Sequence, residues 1–222
     1  MSGVGCHVRV FPRAQLRPGL RDYESWLREI DSAEAVRRER FVECPLPHPT
    51  WLLRRSAFAA LGYRERGWPE DYDLLLRLFA AGHRLGVVPE RLLAWRDAPA
   101  RMWRTHPSYA QERFLACKAE ALASSFLRHT NAYVLWGYGE TGKALRRALL
   151  THGKRPSAIV ELHPRRLGET IHGACVVRPE TLPSLAPAPV VVSVAGRFAR
   201  REIRAQLARL SRRELVDYVV AA

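Results

Sequence analysis

The sequence predicts an α/β protein built in two parts, and three observations carry that reading. Residues 1–130 mix helical periodicity with short apolar runs. From Asn131 onward, continuous apolar strands alternate with helices, the pattern of a parallel sheet covered on both faces. Between the strand Tyr133–Trp136 and the helix after it lies a glycine-rich turn, Gly137 to Gly142. The boundary is placed near residue 130, giving regions 1–130 and 131–222.

The first helical pattern is Leu20, Tyr23, Leu27 and Ile30, which share one face. Phe41 to Pro49 is a loop broken by Pro45, Pro47 and Pro49. Thr50 to Leu53 leads into a helix over 55–61, stopped by Gly62. Pro69 opens the next helix. Tyr72, Leu75, Leu76 and Phe79 form its buried face, and Gly82 ends it. Leu85–Val88 and Leu92–Trp95 read as two short strands. Ser108 opens a further helix, with Gln111 as a capping-box partner and Leu115, Leu122 and Phe126 on its apolar side. In the second region the strands are 133–136, 159–161, 175–177, 190–194 and 218–220. A helix with Ala144, Leu145, Ala148 and Leu149 follows the glycine turn. Another, with Ile203, Leu207 and Leu210, precedes the last strand.

Composition narrows the classes of function. At 222 residues the chain suits one large domain or two small ones. No run of about 18 apolar residues is present, so no membrane span is expected. Met1 to Cys6 lacks a charged region with an apolar core, which reads as no signal peptide and a cytoplasmic location. The four cysteines form no C-x-x-C pair and read as reduced core residues. The scattered histidines and the lack of H-E-x-x-H give no metal site. The net charge of +14 favours anionic partners: nucleotide phosphates, anionic lipid surfaces or nucleic acid. Without a zinc finger or an aromatic RNA-binding signature, nucleic acid is not expected.

The most informative string is Gly67-Trp68-Pro69-Glu70-Asp71-Tyr72-Asp73-Leu74-Leu75-Leu76-Arg77. Three carboxylates cluster at a helix start, where one could deprotonate a hydroxyl held in a cleft. Acidic residues are also favoured there simply because they face the positive end of the helix dipole. Asp71 and Asp73 spell D-x-D, but residues two apart on a helix point about 200° from each other and do not readily chelate one ion.

These residues resemble a known family. Phe41-Val42-Glu43, His48-Pro49-Thr50, Arg54-Arg55, Gly62-Tyr63-Arg64, Trp68 to Leu74, Arg77, Gly82 and Trp95-Arg96 are similar, in that order, to the second half of a bacterial family 2 glycosyltransferase. The resemblance implies a partial GT-A-like fold and inverting transfer from a nucleotide-sugar to an acceptor hydroxyl on a sugar or lipid-linked molecule. It implies Asp71 as the base with Glu70 beside it, and His48, Trp68 and Arg77 lining or bracing the cleft. A lipid-linked acceptor would be compatible with peripheral contact at the inner face of the membrane. Such families carry about 100 further residues upstream, with the nucleotide-binding half and the metal-binding D-x-D. The expectation is therefore a truncated chain, inactive alone or completed by a donor-binding chain. A divalent metal would enter only with that half.

Gly137-Tyr138-Gly139-Glu140-Thr141-Gly142 is a G-x-G-x-x-G between a strand and a helix, and Glu161 ends the next strand. Gly137, Gly139 and Gly142 would admit a phosphate at the helix start. Glu161 would accept from ribose hydroxyls. This predicts a small, doubly wound Rossmann-like parallel sheet that takes a dinucleotide or a nucleotide-sugar, or stands as an empty scaffold. No residue set for hydride transfer accompanies it. The competing function is a non-catalytic nucleotide- or nucleotide-sugar-binding regulatory module.

Overall fold

Gly3–Phe11 form a strand, β1, where no strand was expected before Leu20. Gly3, Gly5, His7 and Arg9 dilute its apolar pattern. Even so, Cys6, Val8 and Val10 are buried, while Arg9 and Phe11 are exposed. His7 faces the other way and is also buried, its Nε2 2.8 Å from the Ile30 carbonyl oxygen. The computed structural model describes all 222 residues, which divide into two units, Met1–Cys117 and Lys118–Ala222. The division falls upstream of residue 130, inside a helix.

After β1 come helices α1 (Pro18–Leu27) and α2 (Ala33–Glu39). Pro18 suits the first position of α1, where no N–H is needed. Ser32 caps α2 by accepting from the Ala35 amide. Strand β2 (Leu52–Leu53) precedes α3 (Arg55–Leu61). Gly62, at φ 54°, ends α3, and its amide bonds to the Phe58 carbonyl. Helix α4 is Glu70–Ala80, with Pro69 as its cap. Tyr72, Leu74, Leu75 and Leu78 are fully buried along it. Gly82, at φ 81°, closes it as expected.

The two short strands expected over 85–95 are one strand, β3 (Leu85–Arg96). Pro89 is accommodated because the pairing with β1 is irregular there: Val88 faces Cys6 but Arg91 faces His7. The sheet runs β2-β1-β3, with β1 antiparallel to β2 and parallel to β3. Helices α5 (Met102–Thr105) and α6 (Gln111–Ser124) follow. Ser108 belongs to a 3-10 turn, Pro107–Tyr109, rather than opening α6. Ala110 is extended (φ −61°, ψ 147°) and separates the two. Phe126 lies beyond the end of α6, and Leu127 is the residue fully buried there.

In the second unit the strands are β4 (Ala132–Trp136), β5 (Arg155–Val160), β6 (Thr170–Ile171), β7 (Ala174–Val177), β8 (Val190–Val192) and β9 (Tyr218–Val220). Helix α7 (Glu140–Leu150) joins β4 to β5, and α8 (Arg197–Arg209) joins β8 to β9. The sheet order is β6-β7-β5-β4-β8-β9, parallel except for the short edge strand β6. Every residue of β8 and β9, and all of β4 after Ala132, is buried, as in a sheet covered on both faces. The protein is thus an α/β fold with mixed sheets, and no helix is long and apolar enough to cross a membrane. Of the cysteines, Cys6, Cys44 and Cys117 are buried free thiols and Cys175 is exposed.

Two of the three lysines are interior hydrogen-bond donors. Lys118 donates to the Ala221 carbonyl at 2.8 Å. Lys154 donates to the carbonyls of Leu127 and Thr130 and to Asn131 Oδ1. Removing the Lys154 ammonium strands those acceptors. Lys154→Met should lower the unfolding free energy of the second unit by about 2–3 kcal/mol, read from urea denaturation.

Candidate active site and glycine loop

The three carboxylates at the start of α4 have different surroundings. The Asp73 side chain is 3% exposed. Arg64 bonds it through Nε at 2.9 Å and Nη2 at 2.7 Å. Arg77 bonds it through Nε at 2.7 Å, and the Trp68 indole N–H donates at 3.1 Å. Burial pushes the Asp73 carboxyl up, but the hydrogen bonds and charges of Arg64 and Arg77 outweigh it and hold it below the ordinary aspartate value. Arg77 also donates to the carbonyls of Leu61 and Gly62, at 2.9 and 2.6 Å, tying the end of α3 to α4. Trp68 and Arg77, expected to line or brace a cleft, are therefore both placed on Asp73.

Glu70 accepts from the Tyr109 hydroxyl, 3.1 Å from each oxygen. Asp71 has neither kind of tether. Its Oδ1 accepts from the Tyr72 amide at 2.7 Å, and its Oδ2 lies 3.7 Å from His48 Nδ1. Its side chain is 16% exposed. Burial pushes its carboxyl above the ordinary value; His48 and the Tyr72 amide oppose the rise, while Glu70 adds to it.

An aromatic wall stands beside this carboxylate. The His48 ring meets Trp51 edge-on at 4.9 Å and Tyr63 at 5.7 Å, and Phe58 packs on Tyr63 at 5.3 Å. Tyr63 and Phe58 are exposed. His48 Nε2 is 2.7 Å from the Tyr63 hydroxyl. The structure thus brings Glu70, Asp71 and His48 together, and adds Tyr63, Trp51 and Tyr109, which had no role in the sequence reading. Tyr63 follows the glycine that stops α3, and Tyr109 closes the turn before α6. Tyr63 stands in the Gly62-Tyr63-Arg64 motif of the resemblance without a role of its own, and Tyr109 carries no local signal. A cation between Asp71 and Asp73 does not fit, because the Asp73 oxygens are committed to two arginines and an indole.

In the second unit, chain order reverses between the neighbouring strands β4 and β8, and Gly137 and Ser193 follow directly at their carboxyl ends. Gly137, at φ 96°, makes the turn, and a Cβ there would meet Val194 Cγ2 at 2.4 Å. At Gly142 a Cβ would sit 2.1 Å from the Gly137 carbonyl oxygen, so α7 approaches the loop too closely for any side chain. Ser193 Oγ donates to that carbonyl at 2.8 Å. Gly139 is different: a Cβ there would meet nothing within 4 Å, and its φ is −75°. It caps α7 with no side-chain hydrogen bond. One turn in, Lys143 pairs with Glu140 at 2.8 Å.

Glu161 lies at the end of β5, where it accepts four hydrogen bonds. Oε2 takes the Tyr138 amide and Arg166 Nη1; Oε1 takes the amides of Leu162 and His163. A carboxylate has about four lone-pair sites, so its capacity is filled by the protein. Arg166 also donates to the Tyr138 carbonyl and lies over the Tyr138 ring. Glu161 therefore shapes the glycine loop rather than lying open to a ribose.

Comparison with protein-family models, curated proteins and solved structures gave no match to the chain.

The Asp73 clamp should be measurable as stability. Asp73→Ala leaves two guanidinium groups without their partner and should lower the unfolding free energy by about 3 kcal/mol at neutral pH. Because the folded carboxyl titrates below its unfolded value, this stabilisation is present above about pH 4 and is lost as pH falls through the folded value. The gap between variant and parent should narrow in acid denaturation series.

Proposed function

We infer that the first unit is the acceptor-side half of an inverting GT-A-type glycosyltransferase resembling family 2, with Asp71 as the base. One observation carries this reading: of the three acids at the start of α4, Asp71 is the one left untied by arginine or tyrosine, in a setting that raises its proton affinity. A base that accepts a hydroxyl proton works best with a pKa nearer the working pH than a solvated carboxylate has. The acceptor oxygen gives its proton to Asp71 and attacks the anomeric carbon of a nucleotide-sugar. The bond to the nucleotide breaks on the opposite face, its electrons leave with the phosphate, and the configuration inverts. His48, Trp51 and Tyr63 offer the acceptor, a sugar or lipid-linked molecule, a wall of rings.

The second unit supports a Rossmann-like reading. Its parallel core runs β7-β5-β4-β8-β9, with the turn at Gly137, the close approach at Gly142 and open space at Gly139 arranged around the start of α7. A phosphate of a dinucleotide or nucleotide-sugar fits that start electrostatically. The same loop favours the second reading, a nucleotide-binding regulatory module without catalysis.

Two experiments test these readings. In a complex or fusion that supplies a family 2 donor-binding half, Asp71→Asn should cut transfer at least about a hundredfold; unchanged transfer would favour the regulatory module. The same variant should melt higher than the parent at neutral pH. The raised folded value means stability is fullest below the unfolded aspartate value, near pH 4, and is lost as pH rises through the folded value. For the loop, Gly139→Ala should change stability by less than about 0.5 kcal/mol, while Gly142→Ala should cost about 1–3 kcal/mol. Calorimetric titration with a dinucleotide and with a nucleotide-sugar should show weaker binding by Gly139→Ala. No binding of either ligand by the parent chain would leave the loop a scaffold.

A further inference from the structure

We propose that Tyr63 and His48 form a positioning array that fixes the imidazole as an Nδ1–H donor aimed at Asp71. Three side chains stand in succession: the Tyr63 hydroxyl lies 2.7 Å from His48 Nε2, and His48 Nδ1 lies 3.7 Å from Asp71 Oδ2. A neutral imidazole carries one N–H and one lone pair. If the proton sat on Nε2, the lone pair of Nδ1 would face a carboxylate. With the proton on Nδ1, the phenol donates to Nε2 and the ring donates toward Asp71, so both contacts are attractive. Tyr63 thereby selects the tautomer that serves Asp71.

The ring is held for this task. Trp51 and Tyr63 both pack against it edge-on. The 3.7 Å gap is longer than a hydrogen bond, as contacts in catalytic sites often are before substrate arrives and tightens them. Oδ1 is held by the Tyr72 amide, and Oδ2 is the oxygen that faces His48. The other titratable groups whose charge acts on Asp71, or on which Asp71 acts, are Glu70 beside it, Tyr23 from α1, Cys44 from the loop after α2, and Tyr63 and Tyr109. Of these, the Tyr23 hydroxyl donates to the Cys44 carbonyl, the Cys44 thiol to the Leu46 carbonyl and the Tyr109 hydroxyl to Glu70, while the Tyr63 hydroxyl lies against His48 Nε2, which leaves the imidazole as the group placed to donate to Oδ2. Its catalytic meaning rests on Asp71 being the base; the tautomer does not.

Long-range proton–nitrogen correlation spectra of the full 15N-labelled chain, taken at about pH 8.5 where imidazoles are neutral, read the tautomer directly. The His48 ring should be protonated at Nδ1 in the parent and should move predominantly to Nε2–H in Tyr63→Phe. A parent ring protonated at Nε2 overturns the proposal, and that measurement needs no variant. A folded Tyr63→Phe chain with the ring still on Nδ1–H also overturns it. Carboxyl 13C titration adds a second readout: His48→Phe, which keeps a ring but removes the donor, should move the Asp71 midpoint to higher pH, and an unmoved midpoint overturns the array. If the spectra come out as expected while Asp71→Asn retains transfer in the complemented enzyme, the array stands and the base assignment falls.

Discussion

The first unit depends on a buried carboxylate held by two guanidinium groups. Asp73 draws in Arg64 from the loop after α3 and Arg77 from one turn along α4, and Arg77 passes the constraint to the carbonyls that end α3. One interaction therefore ties the end of α3, which Gly62 stops, to α4, and holds Arg64 and Trp68 of the loop over 62–69. With the loop fixed, Tyr63 reaches His48, and the aromatic wall forms beside Asp71. The surroundings of Asp71 follow from where Asp73 is anchored. Two acids two residues apart on a helix face different ways, so one can be consumed by structure while the other stays available.

The second unit divides labour in a similar way around its glycine loop. Gly137 and Gly142 are required by the fold itself, one for its positive φ and one for the contact with a carbonyl. Glu161 and Arg166 brace the loop by tying the Tyr138 amide and carbonyl. Gly139 is the one of the three with no internal reason to lack a side chain, since a Cβ there would meet open space.

Residue pattern made much of this fold readable. Helix α4, the glycine stops at Gly62 and Gly82, and the core strands of the second unit follow from periodicity and composition. Strand β1 was missed because glycine and polar residues interrupt its alternation, although both its neighbours in the sheet depend on it. The break expected near Pro89 did not end β3, because an irregularity in pairing absorbed the missing donor. In the candidate site, Asp71, Glu70 and His48 were visible as residue types. Tyr63 was visible only as a member of the Gly62-Tyr63-Arg64 motif and Tyr109 not at all, since their contacts with His48 and Glu70 are ones that tertiary structure alone creates. Likewise nothing in the sequence says that Trp68 and Arg77 turn toward Asp73, or that backbone amides fill the acceptor sites of Glu161.

The lysines give the molecule an uneven chemical face. Arginine supplies nearly all of its positive charge, and Lys118 and Lys154 are buried as donors to carbonyl oxygens. Lys143 is the lysine whose side chain reaches solvent, and it sits one turn into α7, next to the glycine loop. Amine-directed acylation of the native chain is thereby channelled to the amino terminus and to this loop. A single covalent tag at Lys143 would report whether the start of α7 is covered, while the arginine-rich remainder of the surface stays untouched.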